Sequence, residues 1–165
     1  MKKLVFLFAF IPFLVFSQEQ VKNQIDWIPL EKAKELAKKN NQKILIFFHK
    51  EYCPYCDDMQ NLTFRDTNVI KMINDNFLAV KIDSRTKDTI IYNGKAYGNQ
   101  QPASSGRHDW RHDFFYEVAR FQQEGKDMLT TPTLVLFNPS FEKISNIPGY
   151  YPKETLLNKL QNIIK

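Results

Sequence analysis

Residues 43–56 read KILIFFHKEYCPYC, and the order of residue types in this stretch decides the fold. Lys43-Ile44-Leu45-Ile46-Phe47-Phe48 is an apolar run rich in β-branched and aromatic residues, the pattern of a strand buried on both faces. Four residues follow, His49-Lys50-Glu51-Tyr52, and then the tetrapeptide Cys53-Pro54-Tyr55-Cys56. Proline suits the first turn of a helix, where its missing N–H costs nothing, so Pro54 sets a helix start on the tetrapeptide. Met59, Leu62 and Phe64 continue that helix or its exit.

Cys53 and Cys56 are the only two cysteines of the chain. A bridge across two intervening residues closes a very small loop and takes little entropy from the unfolded chain, so it is a poor staple. The pair suits chemistry better. At the start of a helix, free backbone N–H groups and the macrodipole favour thiolate over thiol at the first sulfur. Cys53 is therefore expected to be the exposed nucleophile. Cys56, one turn further in, can attack the resulting mixed disulfide and release the partner, so the site needs no cofactor beyond a redox-active Cys53–Cys56 disulfide. Pro54 and Tyr55 would set the balance between dithiol and disulfide.

Outward from this centre the pattern alternates. A lysine-rich helix (Leu30, Ala33, Leu36, Ala37) precedes the first strand, with Pro29 at its start and Asn40-Asn41 as its stop. After the cysteines, Asp66-Thr67-Asn68 caps a helix carrying Val69, Ile70, Met72, Ile73 and Phe77, and Leu78–Asp83 reads as a second buried strand. From Ser84 to Thr130 the pattern loosens, with turn signals such as Asn93-Gly94 and an expected helix from Asp109 to Gln123. Thr133–Phe137 and Phe141–Ser145 form an apparent hairpin, and a last helix after Pro152 carries Leu156, Leu157, Leu160 and Ile163-Ile164. Strands first separated by helices and then paired antiparallel predict an α/β fold with a mixed central sheet covered on both faces.

Ahead of all this, Lys2 and Lys3 precede an apolar run from Leu4 to Phe16 that ends on Ser17. Residues 1–17 have the layout of a secretory signal peptide, and residues 18–26 form a polar lead to a domain over 27–165. Cleavage after Ser17 would remove 17 of the 165 residues, leave 148, and take the formal charge from +5 to +3 with the loss of two lysines. The remaining charges alternate along the chain with no basic stripe, which argues against nucleic acid as a partner.

The chain resembles the thioredoxin superfamily over most of residues 27–164. The marks are the strand Ile44–Phe48, the aromatic Tyr52 just before Cys53-Pro54-Tyr55-Cys56, the strand ending Val80-Lys81-Ile82-Asp83, and Thr131-Pro132-Thr133 opening a later strand. The resemblance implies a thioredoxin fold with a helical insertion at about 84–130, before the strand that follows a cis Pro132. Thr131 and Pro132 would face the cysteines and offer an edge to a substrate peptide. Gly149 stands where such proteins usually carry a glycine before the final helix.

An exported domain with these motifs looks most like the periplasmic thioredoxin-like thiol:disulfide interchange proteins, although the tetrapeptide is also that of glutaredoxins. The implied function is a thiol:disulfide oxidoreductase of the periplasm or cell envelope. Its partners would be cysteine-containing exported proteins and a membrane or periplasmic partner that recycles it. Two features depart from the family. Thioredoxins carry a buried aspartate six residues before the first cysteine, where this chain has Phe47, and the segment 84–130 exceeds the usual crossover.

Two other readings use the same residues. Cys53, Cys56, His108 and His112 make a Cys2His2 inventory, but the gap between the pairs is far longer than in zinc fingers, so redox chemistry is preferred and no metal is assigned. A non-catalytic peptide-binding or chaperone-like module of the same fold is the alternative function. His108 and His112 are read as surface residues of the Trp110 helix, and His49 as a strand-end residue before any role beside the Cys53 thiolate.

Overall fold

The structure is a computed structural model and describes residues 22–99 and 110–164. The proposed leader, Ser104-Ser105-Gly106 and His108 lie outside the described residues. In chain order the elements are α1 (Leu30–Asn40), β1 (Lys43–His49), α2 (Pro54–Asn61), a short 3₁₀ turn (Thr63–Arg65), α3 (Thr67–Asn76), β2 (Phe77–Asp83), β3 (Ile90–Tyr92), β4 (Lys95–Tyr97), α4 (Asp113–Ala119), β5 (Phe121–Gln123), β6 (Lys126–Met128), β7 (Thr133–Phe137), β8 (Lys143–Pro148) and α5 (Lys153–Ile164). No helix among the described residues is long and apolar enough to cross a membrane.

The main sheet has the order β2-β1-β7-β8. β1 runs parallel to β2 and antiparallel to β7, and β7 pairs antiparallel with β8. The sheet is mixed, as the alternation of helices and strands predicts.

Because side chains alternate across a strand, β1 supplies both faces of the core. Leu45 and Phe47 pack on one face with Cys53, Cys56 and Met59 around α2, Val69, Ile70 and Ile73 of α3, and Leu156 and Leu160 of α5. Ile44, Ile46 and Phe48 pack on the other with Ala33 and Ala37 of α1, Phe114, Phe115 and Val118 of α4, and Tyr92 and Tyr97 of the β3–β4 hairpin.

Local chemistry ends these elements. Asn41 takes the left-handed conformation at the end of α1 and donates its N–H to Ala37 O, as a helix stop requires. The Asp66 carboxylate accepts the N–H groups of Asn68 and Val69 and starts α3 where the Asp-Thr-Asn signal places it.

Three expectations need correction. The helix read over Asp109–Gln123 is only Asp113–Ala119. Arg120 leaves the helical region, and Phe121–Gln123 pairs with Lys126–Met128 across Glu124-Gly125, both with positive φ, which is what a two-residue hairpin turn needs. His112 is not a surface residue. It is buried, its Nδ1 accepts the Phe114 N–H at 3.1 Å, and its Nε2 lies 2.9 Å from Asp88 O. The strand read over Phe141–Ser145 is β8, Lys143–Pro148, because the turn runs on to a positive-φ Phe141 while Asn138 Oδ1 accepts from Ser140 N and Glu142 N. Packing also starts within the polar lead: Ile25 is buried, and Asn74 clasps the backbone at Gln24 and Asp26.

Candidate active site

The end of β1 and the start of α2 bring the sequence-predicted residues together. Cys53 is the N-cap of α2, in extended backbone, and Pro54 is its first residue. The two sulfurs are joined as a disulfide with a Cα–Cα distance of 5.2 Å. The Cys56 N–H points at Cys53 Sγ, 3.2 Å away. A backbone N–H aimed at a sulfur is a donor from which a thiolate can accept.

Cys53 is less open than the reading of an exposed nucleophile expects: it is 4 % exposed, and Cys56 is 0 % exposed. The residues around them are the exposed ones, Tyr52 at 89 % and Tyr55 at 63 %. Tyr52 has φ +52, a left-handed backbone that a bulky residue rarely adopts, at the bend that turns β1 into the cysteine loop. Tyr55 stacks on Tyr150, with ring centroids 6.4 Å apart and planes 27° apart. Nothing local in the sequence announces Tyr150, since the contact joins the start of α2 to the loop before α5.

Thr131 and Pro132 also lie where the resemblance puts them. Cys53 Sγ is 3.6 Å from the Thr131 carbonyl oxygen and 3.9 Å from its hydroxyl oxygen. The Thr131–Pro132 peptide bond is cis. The Pro132 carbonyl accepts the Gly149 N–H at 2.8 Å, and Thr133 Oγ1 donates to Thr130 O at 2.7 Å, so the loop is tied down on both sides of the proline. Gly149 has φ +92, which explains glycine at this position.

On the α2 side of β1, Phe47 fills the place of the family's acid. It is fully buried against Trp27 (6.0 Å between centroids), Phe64 (5.0 Å) and His49 (5.7 Å). Lys81 is opposite Phe47 in the β1–β2 register. Its ammonium donates to Gln60 Oε1, and Gln60 Nε2 donates to the Cys56 carbonyl at 3.2 Å. This polar link behind the second cysteine escaped the sequence reading, in which Lys81 is merely a strand residue. Burial holds His49 below its ordinary pKa, helped by the Lys81 charge and opposed by Asp83 and Asp57, so near neutral pH its imidazole is uncharged. With both ring nitrogens engaged on backbone, His112 is not arranged as a metal ligand.

A family model described as a thioredoxin-like domain matches residues 30–164. An uncharacterized protein of Caenorhabditis elegans is 32% identical over 93 residues, which are 56% of this chain and 12% of that protein. Spermatogenesis-associated protein 20 of Mus musculus is 27% identical over 89 residues, 53% of this chain and 11% of its own length. This chain thus spans only a small part of the curated relatives it matches.

Among solved structures, a thioredoxin from Thermus thermophilus superposes with a TM-score of 0.58 at 21% identity, covering 85% of this chain and 87% of that one. A DsbH oxidoreductase gives 0.56 at 15% identity, covering 92% of each chain. A disulphide isomerase from Xylella fastidiosa gives 0.52 at 16% identity, covering 82% and 88%. These likenesses concern the fold. Together with the family match and the Cys53–Cys56 disulfide at the head of α2, they establish that the chain belongs to the thioredoxin-like domain family.

Proposed function

We propose that this protein is an exported thiol:disulfide oxidoreductase that exchanges its Cys53–Cys56 pair with cysteines of envelope proteins. The observation that carries the reading is the disulfide at the N-terminus of α2, with the Cys56 N–H aimed at Cys53 Sγ and the Thr131–Pro132 loop against the same sulfur. The leader-like residues 1–17 support action beyond the cytoplasm, where client disulfides persist.

In the reducing direction, the Cys53 thiolate attacks a client disulfide. A Cys53–client S–S bond forms, the client's own S–S bond breaks, and one client thiolate leaves and takes up a proton. The Cys56 thiol gives up its proton and attacks Cys53 Sγ. The Cys53–Cys56 bond forms, the second client thiolate leaves, and two electrons have passed from this chain to the client. Oxidation of a client dithiol is the reverse. Either direction leaves the pair in the wrong state for another turnover, so a membrane or periplasmic redox partner is part of the proposal.

Trapping tests it. Cys56→Ser should accumulate client proteins bound through Cys53, released by dithiothreitol, in an envelope extract, and Cys53→Ala should abolish insulin reduction. Full insulin reduction by Cys53→Ala would refute the assignment, and absence of any trapped adduct would leave only the peptide-binding alternative.

A further inference from the structure

The second exchange step needs an acceptor for one proton. Cys56 must lose its thiol proton to attack Cys53 Sγ, and the place of the family's buried acid is filled by Phe47. Cys56 is fully buried, so a thiolate formed ahead of the attack would be left without water. Among the described residues, His49 is the titratable side chain placed to receive that proton. Residues two apart on a strand point to the same face, so His49 follows Phe47 on the α2 side of β1, one step nearer the cysteine loop. The rings agree: they stack with centroids 5.7 Å apart and planes 21° apart, and Phe47 packs in one cluster with Cys53, Cys56 and Met59.

The charges that act on the imidazole place its other side. Asp57, the residue after Cys56 in α2, is one of them. Lys81 of β2 is another, and its ammonium holds the Gln60 side chain that is bonded to the Cys56 carbonyl. Asp83, opposite His49 in the β1–β2 register, is the third, and the Lys50 backbone is the remaining polar group that acts on the ring. The imidazole therefore stands between the end of β1 and the first turn of α2, the turn that carries Cys56, and it is half-buried, so water reaches it. A general base works best with a pKa near the working pH, which an imidazole has and a carboxylate lacks. Burial first, then the Lys81 charge, keeps this imidazole uncharged near neutral pH, and the uncharged form is the one that accepts.

We propose that His49 is the proton acceptor of the second exchange step, reaching the Cys56 thiol through one water molecule and standing in for the acid that Phe47 displaces. As Cys56 Sγ attacks Cys53 Sγ, the S–H bond breaks, its proton passes to the water, and a proton of that water passes to the imidazole. The Cys53–Cys56 bond forms and the Cys53–client bond breaks. The departing client thiolate then takes the proton from the imidazolium, so His49 ends uncharged and no outside base is consumed. The proposal rests on the exchange activity proposed above, and the test separates the two.

The experiment mixes the reduced chain with a limiting amount of the aromatic disulfide DTNB, which releases one coloured thiolate when Cys53 attacks and a second when Cys56 resolves the adduct. That leaving group needs no proton, so the second phase reports the loss of the Cys56 proton alone. With His49 accepting, its rate should stay level from about pH 6.5 to about pH 8 and fall at lower pH as the imidazole charges. H49Q removes the acceptor. Its second phase should be about tenfold slower at about pH 7 and should rise about tenfold per pH unit across the same range, following the thiolate alone. Its first phase should stay within about twofold, which reports that the cysteine loop is intact. The profile of the unsubstituted chain decides the matter even if H49Q fails to fold. A second phase that climbs about tenfold per pH unit in the unsubstituted chain would overturn the role of His49. So would a second phase that H49Q leaves unchanged, or slows only in step with the first. Insulin reduction by the unsubstituted chain, run alongside, reports exchange separately, and its absence would overturn the exchange reading and the role of His49 with it.

Discussion

Phe47→Ala tests the idea that an aromatic cluster occupies the site of the family's acid. Phe47 is fully buried, and its ring meets Phe64 edge-on at 5.0 Å and Trp27 at 6.0 Å. A phenylalanine buries about 150–250 Å², which at about 25 cal/mol per Å² is about 4–6 kcal/mol, of which alanine keeps a part. Truncations of this kind cost about 3–5 kcal/mol once the cavity is included, so about 4 kcal/mol is expected here. Against a total stability of about 5–15 kcal/mol, the variant stays folded but marginal. Urea unfolding followed by the fluorescence of Trp27 should show the midpoint falling by about 2 M for a slope of about 2 kcal/mol per M, with the slope unchanged. Phe47→Asp should cost more than Phe47→Ala near neutral pH, because its carboxylate would lose its water among Trp27 and Phe64. A cost below about 2 kcal/mol for the alanine variant, at unchanged slope, would mean that this face collapses around the gap and that Phe47 does not organise it.

Gly149→Ala should destabilise through the backbone alone. Its φ is +92 and an added Cβ would meet nothing within 4 Å, so thermal unfolding should report a loss of about 1–2 kcal/mol; an unchanged or raised Tm would contradict this. His49 makes stability depend on pH. Its folded pKa lies below the ordinary 6.5, so between the two values the unfolded chain binds the extra proton, and stability is present above 6.5 and lost as pH falls towards the folded value. His49→Gln should flatten that part of the stability profile measured by urea titration, and parallel profiles for the two proteins would remove His49 as the cause.

The parts of the fold legible in the sequence are those where local and tertiary preferences agree. Thr133–Phe137 needed no correction, because five consecutive apolar or β-branched residues between turn signals suit only a buried strand. Asp66 marked the start of α3 because a carboxylate at that position satisfies N–H groups that nothing else can reach. The Asp109–Gln123 stretch misled because Phe114, Val118 and Phe121 keep helical spacing across a chain that actually turns at Arg120, and Glu124-Gly125 is a weaker hairpin signal than Asn93-Gly94. At the site, the cysteines, Pro54 and the Thr131-Pro132 pair carry their own motif. Tyr150 and Ser84 do not, since each enters the site through a contact between segments far apart in the chain, and Gln60, one turn after Cys56, is singled out only by Lys81 reaching it from β2.

The segment 84–130 is better understood from the side of β1 that faces away from the cysteines. Every residue from Ile44 to Phe48 is buried, so each face of that strand needs a cover. On the cysteine side α2, α3 and α5 supply it. On the other side α1 buries the small Ala33 and Ala37, with Leu30 partly buried at its start. Phe114 and Tyr92 fill the remaining space, stacking on Phe137 or meeting it edge-on at 6.2 and 6.0 Å, while Phe115 packs against Phe48 at 4.9 Å. Aromatic rings bury the most area per residue, which suits a short helix and a hairpin of two three-residue strands that must cover a sheet. The described residues of the segment are therefore part of the core and no loose elaboration. It helps hold β1 in place, and the end of β1 sets where Cys53 meets Thr131.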